Sequence, residues 1–185
     1  MPKITEIENT PNPNAVKFIL KEPLTWGIAH SYENAGQAQD DLLAAALFNI
    51  EHVTNVFYVD RWLTVTQSGN ADWNELVRKV AGPIRAAPAA DAQTAATIAA
   101  ATANVAHSPA DQHRLDAINR LLDEQVRPYL KSDGGDLHVV GLAGSLLSVH
   151  YLGACGSCPS SISGTLKGIE NLVKSIEPSI EVVAV

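Results

Sequence analysis

Between Ala86 and Ala110 the chain reads AAPAADAQTAATIAAATANVAHSPA, a run of alanine and threonine with almost nothing large to bury. Such a segment contributes little to a hydrophobic core and reads as a flexible Ala-rich linker. Its alanines permit a helical turn, but Pro88 and Pro109 bound any helix within it. The chain therefore divides into a domain at 1–85, a linker at 86–110 and a domain at 111–185. Each part is long enough for one small domain and too short for more.

The first part alternates strand and helix signals. Ile4–Asn9 and Ala15–Leu20 read as strands around the turn residues Thr10-Pro11-Asn12-Pro13-Asn14. Gly27–Gln39 has no readable pattern. Asp40 is the expected N-cap of a helix through Phe48 that buries Leu43, Ala46 and Leu47. Val53–Val59 and Trp62–Thr66 form an expected hairpin across Asp60-Arg61. Asp72 is expected to cap a helix through Val80.

In the second part, Asp111 is the expected cap of a helix carrying Leu115, Ile118, Leu122 and Val126, which Pro128 bends or ends. Ser132-Asp133-Gly134-Gly135-Asp136 reads as a turn. Leu137–Leu142 and Leu146–Leu152 read as a hairpin that sets His138 opposite His150 as polar neighbours on a solvated face. Gly153–Pro159 is a loop and Ser160–Ile176 a helix, with Ile162, Leu166, Ile169, Val173 and Ile176 on one stripe. Glu181–Val185 suits a final strand. The expected fold class is α+β: two small α+β domains joined by the linker.

Charge narrows the partners. A net charge of -7 lacks the Lys/Arg footprint that nucleic acid or an anionic membrane requires. No apolar run approaches a transmembrane span, and MPKITEIENT resembles neither a secretory signal nor a transit peptide, so a cytoplasmic location is expected.

The chemistry concentrates at the two cysteines, Cys155 and Cys158. In a reducing compartment a Cys-x-x-Cys pair points to metal binding or redox work rather than a structural staple. The expected helix behind the loop would lower the thiol pKa values, with Pro159 at its first position. Three readings stand on the motif alone. An iron–sulfur cluster takes four thiolates, so two chains would have to share it. A thiol–disulfide oxidoreductase uses the same spacing, though here a hairpin, not a βαβ unit, precedes it. A four-thiolate zinc site shared by two chains satisfies the same ligands. Asp133 and Asp136, beside Gly134-Gly135, are expected turn formers rather than paired catalytic carboxylates. Ser160-Ser161 has no positioned base, and no Walker-type phosphate loop occurs.

Several motifs in order resemble one family. Arg127-Pro128-Tyr129-Leu130, Asp133-Gly134-Gly135-Asp136, Gly153-Ala154-Cys155-Gly156-Ser157-Cys158-Pro159-Ser160-Ser161 and Lys167-Gly168-Ile169-Glu170 resemble the C-terminal domain of NifU-like (Nfu) proteins. Thr10–Asn14 with Lys17-Phe18, Leu47-Phe48-Asn49-Ile50 with Val53, Val56-Phe57, and Leu63-Thr64-Val65-Thr66 resemble the Nfu N-terminal domain. The resemblance implies a non-enzymatic carrier of a labile [4Fe–4S] cluster, held between two subunits by Cys155 and Cys158. It implies a cluster-bound homodimer, upstream scaffold proteins as donors and apo iron–sulfur proteins as recipients. One departure is visible: His52 stands where the family usually has glycine, which puts the local turn in question. The N-terminal domain reads as an interaction or target-selection module.

Overall fold

A computed structural model describes residues 1–69, 71–90, 109–156 and 164–185. It comprises two compact units, Met1–Ala103 and Asn104–Val185, both mixing helices with sheet, so the α+β class holds.

The first unit is built on a five-stranded antiparallel sheet. Its strands are β1 (Ile4–Asn9), β2 (Ala15–Leu20), β3 (His30–Tyr32), β4 (Val53–Val59) and β5 (Trp62–Gln67), in the order β1-β2-β5-β4-β3. Helices α1 (Leu42–Phe48) and α2 (Trp73–Ala86) supply the rest of the core. Val16, Phe18 and Leu20 of β2 meet Leu63 and Val65 of β5, Val56 and Tyr58 of β4, and Leu43, Leu47, Leu76, Val80 and Ile84 from the helices. The alternation along β2 and β5 sets this face, as a period of two requires.

Several expectations shift here. The N-cap of α1 is Asp41, one residue later than expected, and its side chain accepts from the Ala44 N–H. Ala46, expected inside, is half-buried, while Ala44 is buried. Helix α2 runs to Ala86 instead of Val80, with Pro83 inside it. Gly27–Gln39 contains the edge strand β3, too short to declare itself by alternation. Ala87 is buried, the Ala90 N–H donates to the Pro23 carbonyl (2.8 Å), and Trp26 Nε1 donates to the Ala90 carbonyl. The start of the Ala-rich segment therefore packs on the first unit. Residues 91–108 lie outside the described residues.

The turn before β4 keeps its shape without glycine. His52 takes φ 75°, the left-handed conformation, and its carbonyl accepts from the Ser68 N–H (2.9 Å). That conformation costs a side-chain-bearing residue about 1–2 kcal/mol, while glycine adds about 0.5–1 kcal/mol of unfolded-state entropy. His52→Gly is therefore expected to stabilise the first unit by about 0.5–1 kcal/mol. A urea melt followed by tryptophan fluorescence checks this, since Trp26, Trp62 and Trp73 all lie in that unit. A lower midpoint would refute it.

The second unit has a three-stranded sheet of β6 (Gly135–Ala143), β7 (Leu146–Gly153) and β8 (Glu181–Ala184), in the order β6-β7-β8. Strands β6 and β7 form the expected antiparallel hairpin, and β8 adds parallel to β7. Along β7, Leu147, Val149 and Tyr151 point inward in strict alternation. On β6 the inward positions change phase, from Leu137 and Val139 to Leu142. A bulge between Val139 and Gly141 causes this, leaving Val140 exposed.

Helices α3 (Pro109–Gln125), α4 (Arg127–Ser132) and α5 (Leu166–Lys174) cover the sheet. Leu115, Ile118 and Leu122 of α3, Leu130 of α4, and Ile169 and Val173 of α5 meet Leu137, Leu147, Val149 and Ile180. Helix α3 starts before Asp111, so that residue is not the cap; its carboxylate pairs with Arg114 (3.2 Å). Arg114 also grips Glu177 through Nε (2.7 Å) and Nη2 (2.5 Å). Helix α3 ends at Gln125, and Pro128 is the second residue of α4, where the lost N–H is tolerated in the first turn. Ile176, expected on the buried stripe, is exposed.

Candidate functional site

The site grows out of the end of β7. Tyr151 is the last inward residue of the strand, Gly153 closes it, and Cys155 follows two residues later. The Ala154 N–H donates to the Gly134 carbonyl (3.1 Å) and the Gly156 N–H to the Gly153 carbonyl (3.2 Å). The first bond ties the start of the loop to the α4–β6 connection, and the second turns the loop back on the end of β7.

That connection is shaped by glycine. Gly134 takes φ 81°, turning the chain from α4 into β6. Gly135 then leaves room for the cysteine. A Cβ placed on Gly135 would stand 2.5 Å from the Leu152 carbonyl oxygen and 2.6 Å from Cys155 Sγ. Cys155 thus lies flat against the Gly135 backbone, 1% exposed, within the core of the second unit.

Asp136 is a correction to the sequence reading. It belongs to β6, is 6% exposed, and is not a turn former. Its Oδ1 accepts from the Leu137 N–H (2.8 Å) and from Arg127 Nη1 (3.2 Å), and Lys131 Nζ stands 4.0 Å from Oδ2. Arg127 also donates to the Leu137 carbonyl (2.5 Å) and pairs with Asp123 (2.6 Å). The Arg-Pro and Asp-Gly-Gly-Asp motifs are therefore one device, clamping α4 to the strand that backs Cys155.

Tyr151 was not singled out by its sequence. Its hydroxyl is buried with no hydrogen-bond partner among the described residues. Burial, and then the charge of Cys155, pushes its pKa up to about 12. A buried hydroxyl without an acceptor costs about 1–3 kcal/mol. Tyr151→Phe is expected to stabilise the second unit by about 1 kcal/mol. Chemical denaturation followed by far-UV circular dichroism measures it; a loss of stability would show that the hydroxyl is satisfied in solution.

Cys158, Pro159, Ser160, Ser161 and Ile162 lie outside the described residues, and so does the expected start of the helix behind the loop. His138 and His150 stand directly opposite each other on β6 and β7, as expected. His150 Nδ1 is 2.6 Å from the Val185 carbonyl oxygen. Among the described residues, no three of His, Cys, Asp and Glu are grouped to hold a metal ion, and no helix is long and apolar enough to cross a membrane.

Comparison with known proteins covers both units. Residues 4–90 match the family described as scaffold protein Nfu/NifU N terminal, and residues 118–184 match the NifU-like domain. A human protein named NFU1 iron-sulfur cluster scaffold homolog, mitochondrial, is 31% identical over 182 residues, spanning 95% of this chain and 69% of its own. The protein of the same name from Drosophila erecta is 28% identical over 183 residues; the chain spans 62% of that relative's length. A crystal structure of a Staphylococcus aureus protein, 26% identical, superposes with a TM-score of 0.39 over 44% of this chain and 96% of the other.

Proposed function

This chain belongs to the Nfu/NifU family of iron–sulfur cluster scaffold proteins, and from that premise we propose that it carries a labile [4Fe–4S] cluster between two copies of itself. Cys155 and Cys158 of each copy supply the ligands. The observation that carries this reading is the placement of Cys155 at the end of β7, backed by a glycine, in a chain with two cysteines. Four thiolates complete a cubane, so a second chain must contribute the other pair. The cluster is cargo. It arrives from an upstream scaffold and leaves for apo iron–sulfur proteins.

Loading has a structural requirement. Cys155 is buried against Gly135, so binding at its sulfur requires the loop to lift it off that backbone. A cluster held by two short loops at a two-fold axis has little protein around it, which suits transfer. We read the chain as two domains, the first taking in residues to Ala90 and the second opening at Pro109, working without catalysis of its own. A reducing compartment is needed to keep both thiols reduced; the cytoplasm fits this, whereas the curated relatives carry mitochondrial names.

Anaerobic reconstitution with iron and sulfide, followed by metal analysis and mass in solution, tests the reading. The expected product is a dimer with about four irons and four sulfides, returning to monomer on chelation. Cys155→Ser and Cys158→Ser should each lose the cluster. Zinc in place of iron, or a redox-active disulfide with unequal effects of the two substitutions, would overturn it.

A further inference from the structure

The first unit holds a second concentration of chemistry, unrelated to the cysteines. Four donor side chains from three elements converge at the open edge of its sheet. His30 and Tyr32 come from edge strand β3, Tyr58 from β4 and Asp41 from the start of α1. Tyr32 Oη donates to Asp41 Oδ2 (2.8 Å), and Tyr58 Oη donates to the same oxygen. His30 Nδ1 lies 3.2 Å from Tyr32 Oη and 3.8 Å from Asp41 Oδ2. The His30 ring stacks on Tyr58, with centroids 4.8 Å apart and planes 5° from parallel.

Helix capping does not account for this arrangement. Asp41 caps α1 through Oδ1, which accepts from the Ala44 N–H (2.9 Å). Oδ2 is not needed for the cap, yet two phenols are aimed at it. No lysine or arginine among the described residues pairs with this carboxylate, whose side chain is 14% exposed. Hydrogen bonds from Ala44, Tyr58 and Tyr32 outweigh its burial and hold it ionised below the usual range. Burial lowers the pKa of His30, against the opposing charge of Asp41.

We propose that His30, Tyr32, Asp41 and Tyr58 form a binding site for a hard trivalent cation, ferric iron being the biological member of that class. Donors about 2.1 Å from an octahedral ion stand about 3 Å apart on adjacent positions. The spacings among His30 Nδ1, Tyr32 Oη and Asp41 Oδ2 are close to that face, needing only a small inward shift. Charge selects the ion. Two phenolates and a carboxylate carry three negative charges, which a trivalent ion neutralises and a divalent ion does not. The imidazole stays neutral. The two phenolic protons leave as the oxygens bind, so retention strengthens with pH by two protons per ion. His30 and Tyr32 on the sheet edge give the ion a path from solvent.

The test uses the full chain carrying Cys155→Ser and Cys158→Ser, so thiolate ligation is excluded and the cluster reading is unaffected by the outcome. Ferric nitrilotriacetate is titrated in at neutral pH. The expected result is one ferric ion per chain, a visible phenolate-to-iron charge-transfer band and release of two protons. Tyr32→Phe, on the exposed side, and Asp41→Asn, which still caps α1, should each weaken retention by more than about ten-fold. Iron left entirely on the nitrilotriacetate would overturn the site. So would a band that persists in a folded Tyr32→Phe/Tyr58→Phe variant.

Discussion

Replacing Gly135 with alanine is expected to destabilise the second unit by about 3 kcal/mol and to displace Cys155 from its place. The new Cβ would lie 2.5 Å from the Leu152 carbonyl oxygen and 2.6 Å from Cys155 Sγ. The sulfur can swing away, but the carbonyl cannot. Leu152 is opposite Asp136 and Gly153 is opposite Gly135 in the β6–β7 ladder, so its backbone is fixed by the sheet. Relief must come from parting β6 and β7, the strands beside Cys155. The two units make the measurement clean. Tryptophan fluorescence reports the first unit and should not move, while the circular-dichroism transition of the second falls to lower denaturant. A parallel loss in both signals would mean that the units unfold as one. An unchanged second transition would mean that the ladder yields easily and the glycine is not required.

Removing the Arg127 head group is the second large effect. Asp136 is nearly buried, and truncating the partner of such a carboxylate typically costs about 3–5 kcal/mol. Lys131, 4.0 Å away, offers partial compensation, so Arg127→Leu is expected near the lower end, about 3 kcal/mol. The Leu137 carbonyl also loses its 2.5 Å donor. If the penalty comes from a stranded charge, then Arg127→Leu/Asp136→Leu should recover more than half of it, because an apolar pair replaces an ion pair at little net cost. Chemical denaturation of the two variants decides this. A single-variant loss below about 1 kcal/mol would place the pair among ordinary surface salt bridges.

Much of this organisation was legible from local pattern. The β4–β5 and β6–β7 hairpins, the opposition of His138 and His150, and the inward residues of α3 followed from periodicity and turn residues, because each depends on neighbours close in sequence. The misreadings have a common cause. Asp136 reads as a turn residue beside two glycines, and only the return of β7 and the reach of Arg127 make it a buried carboxylate. Gly135 signals a turn, but its requirement comes from Leu152 and Cys155, which the sheet alone brings near. Asp40 and Asp41 are equivalent to any capping rule, and the two tyrosines that fix Asp41 are distant in sequence. Strand β3 is three residues long, below what alternation can reveal. His52 was legible as an anomaly, and its backbone shows how the anomaly is accommodated.

The seating of Cys155 against Gly135 also bears on survival in oxidising conditions. A thiolate ready for iron is equally ready for peroxide, and beyond the sulfenic acid that damage is not readily reversed. With 1% of the residue exposed, Cys155 is shielded from dissolved oxidants until the loop opens. The rate at which such reagents consume it is then set by the opening equilibrium rather than by their concentration alone. The sulfur that the proposed cluster site would have to expose is thereby protected while it stays seated on Gly135.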